Sequence, residues 1–366
     1  MSKSKNTRLI FEPKISGHHL EYIHHIYIGA SKNVDENFIF VLPKAFINVR
    51  DKFEWPKANN IEFRYFDNAS LNSKRKILSS LFRFYKSILP QEIIFIELMW
   101  FMPILVLFSF TNVKISGIIY NIYLYGWKSF NLVQKTKNAI LYWLFSHCIC
   151  FKNIFILNDN SATQALNKIW KTNRFKYLPD PFVPIDSNKT TNLRESLNIS
   201  EQKIVYLHFG AMSERKGTLD IFKMIENTPS RDLEKYCIIF AGKVGNDIKD
   251  KFYKKYHSLK DKIQIIVEDD FVDYERIGSY LVTCDAVLLP YHYVNVSSGV
   301  IGYCAQFGKP AIATNKGLIG KLVRKNRIGK LVNTFITLEN IDCTPISSKY
   351  CITHTYQSFF DTLLNA

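Results

Sequence analysis

A short turn with two adjacent cations follows an apolar segment in the second half of the sequence. The segment ends at Phe209, and the turn, residues 210–217, contains Arg215 and Lys216. An apolar-periodic helix begins at Thr218. Free amides at a helix N-terminus, the helix dipole and a lysine ammonium all favour negative charge. The turn therefore predicts a binding site for a diphosphate, with a solvated turn between two glycines as the alternative.

A second turn combines two hydroxyl side chains with a glycine. Its sequence is Ser297-Ser298-Gly299, and it lies between a strand-like segment, residues 286–289, and an apolar helix over residues 300–307. Small residues at a helix start let phosphate oxygens approach free amides, and serine hydroxyls add hydrogen bonds. Because both turns follow strands of one predicted domain, we expect them to face one cleft. A serine that only caps its helix is the alternative.

Polar residues also follow the first strand of the chain. The segment contains Gly17, His18, His19 and Glu21. Glycine permits a close backbone approach, and histidine changes its charge near neutral pH. Either histidine could therefore bind a phosphate or a sugar hydroxyl. A histidine that only packs or caps is an equally good interpretation, and Glu21 is expected on the following helix.

Short apolar runs alternate with helix-length segments along the chain, which is typical of parallel βαβ units. The predicted strands are residues 9–11, 38–42, 92–96, 115–123 and 154–157 in the first half, and 204–209, 237–240, 263–267, 286–289 and 311–314 in the second. The pattern predicts an α/β fold of two Rossmann-like, doubly wound domains. Ligands of such sheets bind outside the carboxyl ends of the strands, here in a central cleft.

Three prolines in residues 178–184 mark the domain boundary, because proline interrupts regular structure. We predict an N-terminal domain over residues 1–180 and a C-terminal domain over residues 181–345. A C-terminal helix in residues 346–366 is expected to pack back toward the N-terminal domain.

Positive charge is concentrated in the first half of the chain. The net charge is +16; residues 1–180 hold 24 Lys and Arg against 12 Asp and Glu, and residues 181–366 hold 24 against 20. Such a surface attracts polyanions or anionic lipid headgroups, although solubility alone would also explain it. A nucleic-acid partner is disfavoured, because most aromatic residues fall within apolar strands and helices rather than beside basic ones.

The sequence also bears on location. Its seven cysteines are an odd number without metal-ligand spacing, and the N-terminus has no signal-peptide pattern. Both features favour a cytoplasmic protein. Residues 93–110 are the one candidate membrane span, but Glu97 and Pro103 favour a strand followed by a buried helix.

The amphipathic helix predicted over residues 131–147 leaves a membrane role open. Trp143 and Phe145 lie near Lys135 and Lys137, so this helix could rest on lipid. Burial of its apolar residues against the sheet is the favoured interpretation. A peripheral position on the cytoplasmic face of the inner membrane is the alternative location.

Residues 175–335 resemble the nucleotide-sugar-dependent glycosyltransferases of the GT-B fold, especially the retaining, family 4-like group 1 enzymes. The matching segments are Phe209-Gly210 to Lys216-Gly217, residues 285–290, residues 308–314, residues 317–320 and residues 329–332. The resemblance implies transfer of a hexose or related sugar from a UDP- or GDP-sugar to a glycan or lipid-linked acceptor, as in bacterial surface polysaccharide synthesis. It implies no cofactor. The sequence also favours no metal, since Asp269-Asp270 reads as a solvated turn rather than a metal motif.

The resemblance assigns roles to particular residues. The predicted catalytic residues are Lys216, Arg215 and Asn121, the last of these in the loop with Tyr120 and Tyr123. The predicted donor-binding residues are Gly210, Ser213, Phe271, Val272, Asn295, Ser297, Ser298 and Gly299. The predicted acceptor-binding residues are Gly17, His18, His19 and Glu21.

Three positions depart from the family pattern. Ala211 stands where relatives carry an arginine, so Arg215 is expected to supply that cation. Asn295 and Tyr303 stand where many relatives carry two glutamates. How the donor sugar is held without these carboxylates stays open. A degenerate protein that has the fold but no catalytic activity is therefore an alternative. A retaining mechanism is favoured because the leaving diphosphate can accept the proton.

Two rival interpretations stay open beside this one. An inverting enzyme would need a base, for which Glu21, His18, His19 and Glu97 are the candidates. A nucleotide-sugar epimerase would need acidic residues in the cleft that the sequence does not show.

Overall fold

The computed structural model describes residues 5–120 and 122–366 as two parallel sheets flanked by helices. The sequence-based prediction of an α/β fold is confirmed. The chain divides into two compact units, which are treated separately. The first unit is Met1–Asp180 with Thr355–Ala366, and the second is Pro181–His354.

The strands of the first unit are β1 (Thr7–Phe11), β2 (Asn37–Pro43), β3 (Ile61–Phe66), β4 (Glu92–Phe95), β5 (Lys114–Ile119), β6 (Phe151–Leu157) and β7 (Phe175–Leu178). They form one sheet in the order β3-β2-β1-β4-β5-β6-β7. Central strands of a parallel sheet are covered on both faces, so Leu9, Ile10 and Phe11 of β1 are all fully buried. The strand order reverses between β1 and β4, which is the position where open α/β sheets commonly bind their ligands.

The helices of this unit are α1 (His18–Lys32), α2 (Lys74–Ile88), α3 (Tyr123–Gly126), α4 (Leu132–His147) and α5 (Asn160–Trp170). α4 begins at a capping box, in which the Asn131 side chain accepts the Gln134 N–H and the Gln134 side chain accepts the Asn131 N–H. This cap fixes the start of the helix that the sequence predicts over residues 131–147.

The second unit holds strands β8 (Ile204–Phe209), β9 (Tyr236–Ala241), β10 (Gln264–Glu268), β11 (Ala286–Leu289), β12 (Ala311–Thr314) and β13 (Gly329–Val332). Its helices are α6 (Thr218–Asn227), α7 (Lys249–Leu259), α8 (Tyr274–Thr283), α9 (Val300–Gln306), α10 (Gly317–Asn326) and α11 (Tyr350–Thr353). The strand order is β10-β9-β8-β11-β12-β13. Since the strands are parallel, the loops that follow β8, β9, β10 and β11 all lie at one edge, and the order reverses between β8 and β11.

The C-terminal segment forms two helices rather than the single helix predicted in residues 346–366. α11 packs on α9 in the second unit, whereas α12 (Tyr356–Asn365) packs on α1 in the first. The chain breaks between them because the Thr355 hydroxyl accepts the Ser358 N–H and starts a new helix. Gly29 of α1 allows the close contact with α12, since a Cβ there would lie 2.0 Å from the Phe360 ring.

Two other segments differ from the sequence-based prediction. β5 ends at Ile119, and Tyr123 starts α3 instead of extending the strand, because Ile122 and Tyr123 turn into the core beside the sheet. After β4 the chain forms two 3₁₀ helices, Leu98–Phe101 and Ile104–Phe110, rather than one α-helix. Within residues 5–120 and 122–366, no helix has both the length and the apolar character needed to cross a bilayer.

Candidate active site

The turn after β8 packs directly against the end of β11. Ser213 caps a single 3₁₀ turn, Glu214–Lys216, and Gly217 then adopts a left-handed conformation with φ of 66°. A Cβ on Gly217 would lie 1.8 Å from the Pro290 carbonyl oxygen. Glycine is therefore required here both by the backbone angle and by the contact. The start of α6 is thereby held beside the end of β11.

Lys216 extends back across the turn that it belongs to. Its Nζ donates to the Phe209 carbonyl at 3.4 Å and lies 5.8 Å from the centre of the Tyr291 ring. A Cβ on Gly210 would be 2.7 Å from the same ammonium, so Gly210 leaves the space that this cation occupies. Burial, and then the nearby charge of Arg215, lower the pKa of Lys216 to about 8. A bound anion would favour the charged form again.

A buried hydrogen-bond chain that the sequence-based prediction missed supports this turn. His208 Nδ1 lies 3.0 Å from the Leu288 carbonyl oxygen, and its Nε2 lies 3.0 Å from Thr218 Oγ1. Because a carbonyl only accepts, Nδ1 donates and Nε2 accepts the Thr218 hydroxyl proton. Thr218 Oγ1 in turn accepts the Ser213 N–H at 3.1 Å. The chain ties β8, β11, the turn and α6 together.

The charge state of His208 agrees with this pattern. Burial is the main cause that lowers the pKa of His208, the hydrogen bond to Leu288 opposes it and the charge of Lys216 adds to it, and the net pKa is about 4. The imidazole is therefore neutral at neutral pH. A histidine within an otherwise apolar strand was the sequence signal for this buried role.

A second pair of glycines brings two loops together at the same edge. Gly242, which follows β9, has φ of 137°, and a Cβ there would lie 2.3 Å from the Gly210 carbonyl oxygen. Gly210 itself has φ of 87°. Neither position accepts a side chain without strain. The backbone rather than side chains therefore forms the surface beside Lys216.

Arg215 contributes through its backbone. Its carbonyl oxygen accepts the N–H groups of His292 at 3.0 Å and Tyr293 at 3.2 Å, which fixes the start of the loop after β11. His292 also pairs with Asp220 of α6. The Arg215 side chain is exposed on this edge. Its predicted role as a donor-contacting cation stays a prediction.

The Ser297-Ser298-Gly299 turn lies where the sequence places it, immediately before α9. Ser298 Oγ lies 3.3 Å from the hydroxyl of Tyr291, and burial raises the pKa of that tyrosine to about 12. Gly299 rather than a serine occupies the N-cap position, and no side-chain cap is present. A Cβ on Gly299 would meet no described atom within 4 Å, so this turn is open on that side.

Asn295 and Tyr303 occupy different surroundings. Asn295 is partly buried, and its Oδ1 would be 2.7 Å from a Cβ on Gly317, at the start of α10. The neighbouring Val294 carbonyl accepts the Leu318 N–H at 2.7 Å. Tyr303 is buried, with its ring 5.6 Å from that of Phe182 and 6.1 Å from that of Phe209. Tyr303 is therefore part of the hydrophobic core of the second unit, whereas Asn295 lies at the carboxyl edge of the second sheet.

Phe271 and Val272 follow β10 at the same edge, with opposite exposure. The Phe271 side chain is 81% exposed, whereas Val272 is buried. The Phe271 N–H donates to the Asp270 carboxylate at 2.7 Å, and Asp273 caps α8 by accepting the Arg276 N–H. Asp270 therefore acts within the turn, as the sequence indicates. Each predicted donor-binding residue lies in the second unit, in the loops that follow β8, β10 and β11.

In the first unit, the predicted acceptor residues lie at the start of α1. Gly17 occupies the N-cap with φ of 57°, and a Cβ there would meet no described atom within 4 Å. The exposed His18 ring lies 5.2 Å from Tyr120, and partial desolvation, followed by the charge of His19, lowers the pKa of His18 to about 4. His19 is buried, and Glu21 lies in the first turn of α1.

His19 lies between two carboxylates. Its Nδ1 is 3.3 Å from Glu12 Oε2, and its Nε2 is 3.9 Å from Glu97 Oε2. Glu12, which the sequence-based prediction did not select, is 1% exposed, and burial raises the pKa of its carboxyl group against the lowering effect of His19. Lys14 also pairs with Glu97. The structure thus brings together titratable groups from the loops after β1 and β4.

Tyr120 completes this cluster from the end of β5. Burial, and then the charge of Glu12, raise the pKa of its hydroxyl well above the usual value. The hydroxyl has no hydrogen-bond partner among the described residues. Asn121, the remaining predicted catalytic residue, lies outside the described residues.

The described residues offer no ready metal site. Across residues 5–120 and 122–366, no three histidine, cysteine or carboxylate side chains form a group that could hold a metal ion.

Comparison with known protein families gives one match. Residues 189–338 match the family described as glycosyl transferases group 1. This segment lies entirely within the second unit and contains the Lys216 turn, the serine turn and all six strands of the second sheet. The similarity to this family is therefore confined to the second unit. A search of curated proteins gives no match.

Solved structures resemble nearly the whole chain. HepE from Anabaena, in complex with UDP and glucose, has a TM-score of 0.64 at 15% identity, covering 98% of this chain and 94% of that chain. Sucrose-phosphate synthase from Thermosynechococcus elongatus has a TM-score of 0.65 at 12% identity, covering 99% and 93%. WaaG, a glycosyltransferase involved in lipopolysaccharide biosynthesis, has a TM-score of 0.61 at 12% identity, covering 98% and 90%.

These structural likenesses agree with the expected GT-B fold. They extend over the first unit, which the family match does not reach. The structural neighbours thus bear on the fold of the whole chain, and the family match adds a similarity to group 1 glycosyl transferases over the second unit alone.

Proposed function

We propose that the chain transfers a hexose from a nucleoside diphosphate sugar to a glycan or lipid-linked acceptor, without a metal and with retention of anomeric configuration. The observation that carries the proposal is the position of Lys216. A partly buried ammonium stands beside Gly210, at the edge of the sheet where α6 begins. Backbone amides and a lysine with no carboxylate partner in the described contacts suit a diphosphate.

The donor would lie along the carboxyl edge of the second sheet. We place the diphosphate between the Lys216 turn and the serine turn, with Asn295 close to the sugar. We assign contact with the base to the backbone near Phe271 and Val272, in the loop that follows β10. UDP is the preferred nucleotide, because HepE, which resembles this chain in structure, was solved with UDP and glucose.

In the proposed reaction the bond between the anomeric carbon and the diphosphate oxygen breaks while the acceptor oxygen forms a bond to the same face of that carbon. The acceptor proton moves to the departing diphosphate oxygen. Lys216 and the amides of both turns stabilise the negative charge that develops on the leaving group. We assign acceptor binding to the cluster of Gly17, His18, His19 and Glu21 in the first unit.

The biological setting is also a proposal. We place the enzyme in bacterial surface polysaccharide synthesis, peripherally bound at the cytoplasmic face of the inner membrane. WaaG, which resembles this chain in structure, takes part in lipopolysaccharide biosynthesis. The basic first half of the chain supports contact with an anionic surface or a lipid-phosphate acceptor.

A thermal-shift panel of UDP, GDP, ADP and CMP with their common sugars tests the donor site. We expect UDP or a UDP-sugar to raise the melting temperature of the wild type but not of Lys216→Ala. Lys235→Ala is the matched control, since Lys235 is an exposed lysine of the same unit that pairs with Asp232. It should respond as the wild type does.

The same panel separates the open alternatives. If no nucleotide shifts the folded wild type, the proposal fails, and the chain is a degenerate GT-B protein or a basic protein that binds nucleic acid or another polyanion. If a nucleotide binds, NMR of the product formed with a lipid-phosphate acceptor gives the anomeric configuration directly. Inversion of the anomeric configuration would contradict the retaining mechanism. An inverting enzyme needs a base, for which His19 and its carboxylate neighbours Glu12 and Glu97 would be the candidates.

A further inference from the structure

α4 has an apolar side that no part of the described chain covers. Tyr142 and Phe145 point into the core of the first unit and are fully buried. By contrast, Val133, Ile140 and Trp143 are 75%, 56% and 50% exposed. The expectation that burial accounts for the apolar residues of this helix is therefore right for Phe145 and wrong for Trp143. The helix carries more apolar side chains than one buried face can hold.

The exposed apolar residues share one face with a cation. Val133, Lys137, Ile140, Trp143 and His147 follow one another at intervals of three or four residues, which places them on one side of the helix. We call these five residues the α4 surface. Sixteen residues of helix extend about 24 Å, so the surface is long enough to contact several lipid headgroups.

Further exposed apolar residues lie near both ends of this helix. At the C-terminal end, Ser109 donates to the Cys150 thiol at 3.2 Å, which joins the 3₁₀ helix Ile104–Phe110 to the segment just after α4. Phe110 and Ile149 there are 89% and 62% exposed. At the other end, Lys135 Nζ lies 5.5 Å from the centre of the half-exposed Trp127 ring.

Apart from His147, all the acidic and basic residues in the sequence around α4 are lysines, of which Lys152 pairs with Glu92. Between Glu97 and Asp159 the sequence has no aspartate or glutamate. The same stretch has five lysines, namely Lys114, Lys128, Lys135, Lys137 and Lys152. Lysine beside exposed aliphatic and tryptophan side chains is the composition of a helix that lies in the interface of an anionic bilayer.

We propose that the α4 surface docks on an anionic lipid bilayer, with the helix lying in the plane of the headgroups. A second copy of the chain is a poorer occupant, because it would bring lysines against lysines, whereas anionic headgroups supply the opposite charge. The proposal deepens the peripheral location given above but does not depend on the donor site.

Sedimentation with vesicles tests the apolar part of the surface. The wild type should bind vesicles of mixed phosphatidylglycerol and phosphatidylcholine more tightly than pure phosphatidylcholine, and added salt should weaken the binding. The double substitution Ile140→Gln with Trp143→Gln should reduce vesicle affinity by about tenfold or more, since it removes two apolar side chains from the contact. Ile352→Gln, an equally exposed site in the second unit, should bind as the wild type does.

A charge variant tests the electrostatic part. Lys137→Gln should weaken binding to phosphatidylglycerol vesicles about fivefold, because a lysine near an anionic surface contributes about 1 kcal/mol. Lys251→Gln, at an exposed site on α7, should have no effect. UDP-induced thermal shifts measured on each variant show that folding and donor binding are intact, so failure of the membrane proposal is distinguishable from failure of the transferase proposal.

Three results would overturn the inference. The first is a wild type that leaves phosphatidylglycerol vesicles unbound at low salt. The second is a double variant that binds as tightly as the wild type. The third is a concentration-dependent dimer that the double substitution abolishes, which would assign the α4 surface to a second copy of the chain.

Discussion

At the carboxyl edge of the second sheet, the groups around Lys216 come from one turn and the two loops beside it. At the corresponding edge of the first sheet, the cluster around His19 comes from segments far apart in sequence, at Glu12, Glu97 and Tyr120. The first arrangement is built mainly from backbone, with glycines at positive φ and amides at a helix start. The second is built from side chains that titrate.

The two arrangements should respond differently to the substitution of a single residue. The site in the second unit depends on a few glycines, because a Cβ at Gly217 or Gly242 would meet the main chain of a neighbouring loop. Side-chain clusters distribute their contacts over several groups, so one substitution leaves the remainder in place. Substitutions in the second unit should therefore have larger effects on binding than substitutions in the first.

The largest effect is expected for Gly217→Ala. The new methyl group would meet the Pro290 carbonyl, and alanine disfavours φ of 66°, so we expect a loss of about 2–4 kcal/mol in unfolding free energy together with loss of UDP binding. Urea unfolding and thermal shift measure both. Gly299→Ala is the matched control for stability, because Gly299 has φ of −59° and open space around it. Equal stabilities of the two variants would show that backbone packing does not define this site.

Lys216 gives the next largest effect. We expect Lys216→Ala to lower kcat/KM by about 10²–10³, as for loss of one group that stabilises a departing anion. Because deprotonation removes its positive charge, UDP affinity of the wild type should fall as pH rises through about 8, the pKa of the free enzyme. Titration calorimetry from pH 7 to 9.5 measures this. An identical pH dependence in Lys216→Ala would exclude the lysine as its source.

These residues also show how much the sequence predicts. The strands 204–209, 286–289 and 311–314 were predicted with the bounds that the structure has, because each is a short apolar run between turn residues. Lys216, Gly217 and the serine turn can be selected from the sequence because the residues of each turn are adjacent in the chain, and their role in binding stays a prediction. The edge strands β3, β7 and β13 were not predicted, since polar residues such as Glu62, Arg64 and Lys330 interrupt their apolar pattern.

The cluster in the first unit could not be predicted in the same way. Glu12 and Glu97 are eighty-five positions apart in the chain, and only the pairing of β1 with β4 brings the loops that follow them together. His208 gives a local signal, a polar residue in an apolar strand, and its partner Thr218 follows in the same β8–α6 segment, but its partner Leu288 depends on the register of β8 with β11. Long-range pairing is the information that single-sequence patterns lack.

His208→Gln should have a smaller effect, seen in stability rather than in binding. The folded-state pKa of His208 is about 4, below the usual 6.5, so the unfolded state binds more protons between these values. The contribution of His208 to the free energy of unfolding is therefore fully present above about pH 6.5 and is lost as the pH falls toward 4. Urea unfolding at pH 7 and pH 5 should show that acidification lowers the free energy of unfolding less in the variant than in the wild type. His25 and His354, whose pKa values are also lowered, contribute equally to both proteins. An equal acid dependence of the two proteins would contradict the buried neutral imidazole.

The smallest effect is expected for Tyr120→Phe in the first unit. The hydroxyl is buried and lacks a partner among the described residues, so its removal should leave stability unchanged or raise it by up to about 1 kcal/mol. If the cluster binds the acceptor, the KM for the acceptor should rise several-fold while the KM for the donor stays constant, because the donor groups belong to the second unit. Tyr253→Phe, whose hydroxyl donates to Asp269 at 2.8 Å, is the control and should lose stability without a change in acceptor KM. A parallel rise in both KM values for Tyr120→Phe would mean that the two proposed sites do not act separately. The contrast between a donor site built from backbone and an acceptor site built from side chains would then be wrong.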